Sequence, residues 1–249
     1  MPLTRRDVDR VCSGTGSSAD GEPLDEAAAL YRLLAWLSPS FPVGAFSYSS
    51  GIEWAVESGD VNDAESLRGW IATIIGGGGG FCDAVFFVHA HRAALDGNDR
   101  LQEICELAAA FSPSKERHLE TTAQGRAFVD TVRAAWPCAA LDQMLKLWTG
   151  SIAYPVAVAV ASAGHGIAVE PALLAFLHAI TANLVSAAVR LVPLGQTDGQ
   201  RVLAGLEEVV AETGKRALTT ALEDVGGAAF RADLASMRHE TQYTRLFRS

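Results

Sequence analysis

The sequence predicts an all-α fold, a single compact bundle-like domain of roughly ten helices. Three observations carry that expectation: apolar residues recur at i, i+3, i+4 and i+7 along most of the chain. Glycine and proline cluster at intervals where such runs must stop, and Ser/Thr/Asp/Asn precede several runs at the spacing of helix caps. With 249 residues and 49% hydrophobic content, the chain can bury a sizeable core.

Residues 1–23 are rich in Gly, Ser and Asp in their second half and lack an apolar run long enough for a signal peptide, the composition of a disordered leader. The helical domain is expected over 24–230. Leu30, Leu33, Leu34 and Leu37 form one stripe expected to face a core. That helix must stop near Leu37, because Pro39 and Pro42 push the residues before them out of the helical region. The stretch from Trp36 to Trp54 holds two prolines, two glycines and five serines in nineteen positions, yet Phe41, Phe46, Tyr48 and Trp54 make it too aromatic for a solvated linker. It reads as a structured joint, either a helix corner with its aromatic residues in the core or a functional site. Ser50 with Glu53, and Asn62 with Glu65, have the spacing of capping boxes. Leu67, Ile71, Ile74 and Ile75 form the next stripe, and Gly76 to Gly80 must break or bend it, at about 1 kcal/mol per glycine against helix.

A helix from Phe81 to about Leu95 is followed by one with Leu101, Ile104, Cys105, Ala108 and Phe111 on a single face. Ser112 is expected to cap a helix opened by Pro113, whose polar residues (Lys115, Glu116, Arg117, His118, Glu120, Gln124, Arg126) suggest a solvated face. Gly125 in its interior points to a close backbone approach. The alternation from Tyr154 to Gly164 resembles a strand, but its length and its Pro155 favour a buried helix of small residues; Ile152 to Val169 is the one window near membrane-span length. Pro171 opens an apolar helix to about Val192, interrupted by Asn183 and Arg190. Thr197 and Gln200 suggest a third capping box, Gly214 a stop, and a last helix from Lys215 to Gly226 is expected.

Residues 231–249 differ in kind. Four arginines stand there against Asp233 and Glu240, a local +2 in a chain whose net charge is −9. Arginine interleaved with Tyr243, Leu246 and Phe247 has the composition of a protein-protein anchor; the alternative is a tail folded onto its own domain or a dimer mate. The acidic balance excludes dependence on nucleic acid or an anionic membrane as partner. Cys12, Cys82, Cys105 and Cys138 are widely spread with no C-x-x-C, as reduced cytoplasmic thiols would be. No phosphate loop, G-x-S-x-G or H-E-x-x-H occurs in the sequence. His89 and His91, two apart on a helix, point too far apart to share an ion.

Four segments in order resemble the urease accessory protein family UreF. They are Ser38 to Glu57 (S-P-S-F-P-V-G-A-F-S-Y-S-S-G-I-E-W-A-V-E), Glu120 to Gly125 (E-T-T-A-Q-G), Arg190 to Gln200 (R-L-V-P-L-G-Q-T-D-G-Q), and Met237 to Ser249 (M-R-H-E-T-Q-Y-T-R-L-F-R-S). The resemblance implies a non-catalytic, cytoplasmic homodimer with no cofactor of its own. It implies as partners a UreD/UreH-type accessory protein, the UreG-type GTPase and apo-urease, with nickel and GTP handled by the complex. Partner-binding residues implied by the motifs are Phe41, Pro42, Gly44, Phe46, Ser47, Tyr48, Gly51 and Glu53 in the joint; Glu120 and Gln124; Arg190 and Gln196; and Arg238, His239, Gln242, Tyr243, Arg245, Leu246, Phe247, Arg248 and Ser249 in the tail. His239 is also a weak nickel contact suggested by the family's business. Two other readings stay open: a small-molecule enzyme with a pocket lined by His118, Glu120, Cys105 and Tyr154, and a purely structural helical scaffold.

Overall fold

In the computed structural model the described residues are 25–97 and 100–249; the leader expected over 1–23 lies outside them. They form α-helices joined by turns and two short 3-10 segments, with no strand among them. In order they are α1 (Glu26–Trp36), α2 (Ile52–Glu57), α3 (Ala64–Gly77), α4 (Gly79–Asp96), α5 (Arg100–Ala110), α6 (Lys115–Ala135), α7 (Ala139–Leu147), α8 (Tyr154–Gly164), α9 (Val169–Val189), α10 (Gln196–Ala204), α11 (Glu207–Thr219) and α12 (Phe230–His239).

The core is built around α8. Every residue from Tyr154 to Ala163 is buried, so its valine and alanine alternation does not reflect one wet and one dry face. Pro155 sits in the first turn, where its missing amide costs nothing. Small side chains let α4, α6, α7 and α9 approach on all sides. Val156, Val158 and Val160 are wholly buried, each contributing roughly 1.5–3 kcal/mol. A run of edge and tilted ring contacts, Trp136–Trp36–Phe128–Tyr154–Phe176–Phe87, ties α1, α6, α8, α9 and α4 together. Gly125 supplies the expected close approach: a Cβ there would lie 2.1 Å from the Ile152 carbonyl oxygen at the mouth of α8.

The glycine run breaks the helix at Gly78, the residue between α3 and α4. Several boundaries differ from the sequence expectation. Ser50 is no cap: it adopts φ 52° and Gly51 φ 83°, so the chain turns left-handed into α2, and the Glu53 carboxylate is engaged elsewhere. The capping box of α3 uses Asp63 and Ser66, one residue after Asn62 and Glu65. Ser114, not Ser112, caps α6, accepting from the Arg117 amide at 3.0 Å. No side chain caps α10, where Asp198 pairs with Arg201 instead of Thr197 with Gln200. The expected stop at Gly214 is absent: α11 continues through it, and a Cβ there would make only ordinary contact with Leu177 and Leu173 of α9; the break falls at Gly205 and Leu206. The expected helix to Gly226 ends instead at Thr219, and α12, starting at Phe230, takes up the first part of the 231–249 segment that was expected only as a tail.

Ala64–Asp96, interrupted at Gly78, and Val169–Val189 are long and apolar enough to cross a membrane, which the sequence reading credited only to Ile152–Val169. Here 61% and 50% of their most apolar windows are buried inside the fold, with Leu67, Ile71, Phe176 and Leu177 in its core.

Candidate functional site

The joint, α6 and the tail meet in one buried polar cluster. Phe41 fills the core beside Phe128 (5.4 Å between ring centroids), which anchors the joint's first half. Pro42 and Phe46 remain exposed and Gly44 turns with φ 72°. The second half, Ser47 to Ser50, pairs with the end of the chain: the Arg248 amide donates to the Ser47 carbonyl at 2.8 Å, and the Ser49 amide and hydroxyl both donate to Ser249 O at 2.6 Å. Tyr48 is buried beside them.

Two carboxylates hold the tail. Glu53, on α2, accepts from the Leu246 amide (2.6 Å), the Phe247 amide (2.9 Å) and His239 Nε2 (3.1 Å). Glu116, on α6, accepts from His239 Nδ1 (2.6 Å) and from Arg245 (2.6 Å). His239 is wholly buried and sets one ring nitrogen against each glutamate. One α-helical turn along, Glu120 accepts from Ser50 Oγ at 3.1 Å, Ser249 Oγ at 3.0 Å and Gln124 at 3.4 Å, and pairs with Arg117 at 3.0 Å. Arg117 also grips Asp83 of α4 at 2.7 Å. Burial opposes the Arg117 charge, but Glu120 and Asp83 more than offset it and hold its pKa above the ordinary arginine value. Burial pushes the Asp83 carboxyl up, against the pull of Arg117. Arg190, at the end of α9, donates to the Phe46 carbonyl at 2.8 Å and lies over the Phe247 ring, 4.3 Å from its centroid.

The motif residues thus converge, with exceptions. Gln196, exposed at the first position of α10, is not among the residues that meet there. Arg238 and Tyr243 face solvent, and Gln242 donates to Glu57 at 2.5 Å. Of the polar residues expected on a solvated face of α6, Lys115, His118 and Arg126 are exposed, whereas Glu116, Glu120 and Gln124, with Thr121, are buried. Glu116, Arg117 and Asp83 are functional candidates that the sequence reading missed. The available signal was Glu116, Glu120 and Gln124 at i, i+4 and i+8, which places three polar groups on one stripe.

A cavity of about 270 Å³ opens beside the cluster, lined among others by Phe41, Asp83, Arg117, Glu120, Tyr154 and Ser236. The pocket set proposed for an enzyme does not assemble: Cys105 is sealed in the core and His118 turns outward to the Ala109 carbonyl, leaving Glu120 and Tyr154 alone at the cavity. Burial pushes the Tyr154 hydroxyl above its usual pKa. Burial pushes the Cys82 and Cys105 thiols up to about 12, whereas Cys138 sits half-buried at the cap of α7. Among the described residues no group of three His, Cys, Asp or Glu side chains is placed to hold a metal ion, and both nitrogens of His239 are taken by glutamates.

Comparison with known proteins gives the family of the chain. The UreF family model matches residues 61–207. A urease accessory protein UreF of Bradyrhizobium sp. (strain ORS 278) is 59% identical over 248 residues, covering 99% of this chain and 100% of the relative. A second, from Bradyrhizobium sp. (strain BTAi1 / ATCC BAA-1182), is 64% identical over 222 residues, 89% of this chain and 92% of the relative. A third, from Rhodopseudomonas palustris (strain BisB18), is 60% identical over 225 residues, 90% and 93% respectively. With a family model over more than half of its length and relatives of this identity across nearly all of it, the chain belongs to the UreF family of urease accessory proteins.

Proposed function

We propose that the chain is a non-catalytic, cytoplasmic adaptor that joins a UreD/UreH-type protein to a UreG-type GTPase, and that the assembly inserts nickel into apo-urease in a GTP-dependent step. The adaptor acts as a homodimer, takes no cofactor itself, and biases the GTPase by binding one nucleotide state more tightly than the other. The observation that carries this reading is the outer face of α12 and the tail. Phe230 (77% exposed), Leu234 and Met237 lie at i, i+4 and i+7 in solvent, continued by Tyr243 (103%) and Leu246 and edged by Arg238, Arg245 and Arg248. Aromatic and arginine residues together on a rigid support are the composition of an interface centre. The support is rigid because the cluster beneath holds His239, Phe247 and Ser249.

Deleting the tail is therefore a poor test, since it would strand Glu53, Glu116 and Glu120. Point changes on the outer face avoid that problem. Phe230→Ser with Tyr243→Ser should lower affinity for the UreD-type partner by about thirtyfold or more, a loss of roughly 2 kcal/mol or above. The melting temperature should stay within about 2 °C of wild type. Calorimetric titration with the purified partner reads the first and a thermal melt the second. Unchanged affinity would remove this face from the interface.

A further inference from the structure

Few groups hold α1 to the body. Of its eleven residues only Leu33 and Trp36 are buried, while Leu30, Tyr31 and Leu34 face solvent. Among the described residues one side-chain hydrogen bond ties it down: half-buried Arg32 donates from Nη1 to His165 Nδ1. His165 stands at the C-terminal cap of α8, and its Nε2 lies 3.0 Å from the carbonyl of Trp136, which ends α6. A guanidinium can only donate, so Nδ1 must accept, and the ring's single proton must sit on Nε2 and be donated to Trp136. Both neighbours thus fix the same neutral tautomer. The ring is 5.2 Å from that of Trp36, which in turn meets Trp136 and Phe128, so the hydrogen bond and the apolar anchor of α1 form one assembly.

We infer that the Arg32–His165 contact is an acid-opened latch: one proton added to His165 releases α1, and with it the start of the joint, while α8 stays folded in the core. A proton on Nδ1 sets donor against donor and cation against cation, in a site that water screens only in part. Nothing nearby compensates. The charged and titratable groups around the ring, among the described residues, are Arg32 from α1, Cys138 at the start of α7, kept a thiol by burial, and Asp142, already paired with Arg133 of α6 at 2.9 Å. From α4, His91 meets the same turn, with Nε2 at 2.8 Å from the Ile167 carbonyl. Burial first, and Arg32 second, hold His165 below the ordinary histidine value. The undocked state therefore binds the proton more readily, so docking is fully supported above about pH 6.5 and loses that support as the pH falls below it. The effect reaches the joint because α1 runs into it, and the Phe41 ring lies 6.4 Å from that of Trp136. The latch is independent of which molecule the joint binds.

Hydrogen exchange read by mass spectrometry on the full chain tests this, with rates corrected for the intrinsic effect of pH. Between about pH 7.5 and about pH 5.5, protection of the α1 amides should fall about fivefold or more, whereas protection of α8 stays within about twofold. His165→Asn keeps an acceptor near the place of Nδ1 but takes up no proton, and asparagine is tolerated at helix C-termini. In that variant α1 protection should change by less than about twofold over the same interval. Nitrogen NMR of the histidine rings in the unmutated chain supplies a second reading: His165 should be the Nε2–H tautomer at neutral pH and titrate over the range in which α1 loses protection. Constant α1 protection in the unmutated chain, an equal fall in His165→Asn, an equal fall in α8, or an Nδ1–H ring would each overturn the latch.

Discussion

Glu53 shows how much one side chain can organise. Its carboxylate terminates two otherwise unpaired tail amides and one ring nitrogen of His239 while only 8% exposed. Glu53→Gln keeps the shape but replaces an acceptor with a donor that faces those donors, so at least one is left buried and unsatisfied. The expected loss is about 2–4 kcal/mol in urea unfolding. Glu57→Gln, one turn away and exposed with a single contact to Gln242, should cost less than about 0.5 kcal/mol. The identity of Glu53, Glu120 and Arg190 as special residues was legible from the family motifs. Their partners were not, because hydrogen bonds linking residues such as 53 with 247 or 120 with 249 span more than a hundred positions, and local periodicity carries no trace of them.

At the scale of elements, apolar periodicity located most helices and capping chemistry located their ends poorly. Ser, Thr, Asn and Asp are common near every boundary here, so a one-residue shift such as Asn62 to Asp63 fits the sequence equally well. Ser50 went astray for a different reason: its left-handed conformation is imposed by Glu120 and by the approach of α12 to Gly51, both tertiary. Gly214 likewise looked like a stop and became an interior position of α11. Gly125 was the glycine whose role could be read ahead, since an interior helical glycine in a dense polar run has a reason to be there. Gly125→Ala should cost about 3 kcal/mol or prevent folding, given the 2.1 Å approach to the Ile152 oxygen. Gly69→Ala, in α3 with nothing within 4 Å, should instead raise stability by roughly 0.5–1 kcal/mol. Parallel thermal melts of the two variants separate close packing from helix propensity.

For the molecule as a whole, the all-α class followed from composition and period, and the buried α8 from its length and Pro155 against a strand-like alternation, but which apolar groups remain outside did not. Leu30 and Leu34 carry the spacing of core residues, yet they are 57% and 65% exposed, because α1 packs through Leu33 and Trp36 and leaves its other side in solvent. Phe230, Met237 and Tyr243 are exposed in the same way at the other end of the chain. Aromatic residues held in water at the edge of a buried polar cluster have the composition of a binding surface. The most direct test is size-exclusion chromatography with light scattering on the full chain mixed with UreD-type and UreG-type proteins and GTP, run beside the Phe230→Ser/Tyr243→Ser variant. One co-eluting assembly containing all three proteins, lost in the variant while the variant itself stays folded, is the predicted result. Separate elution of the wild-type chain from both partners would contradict the account.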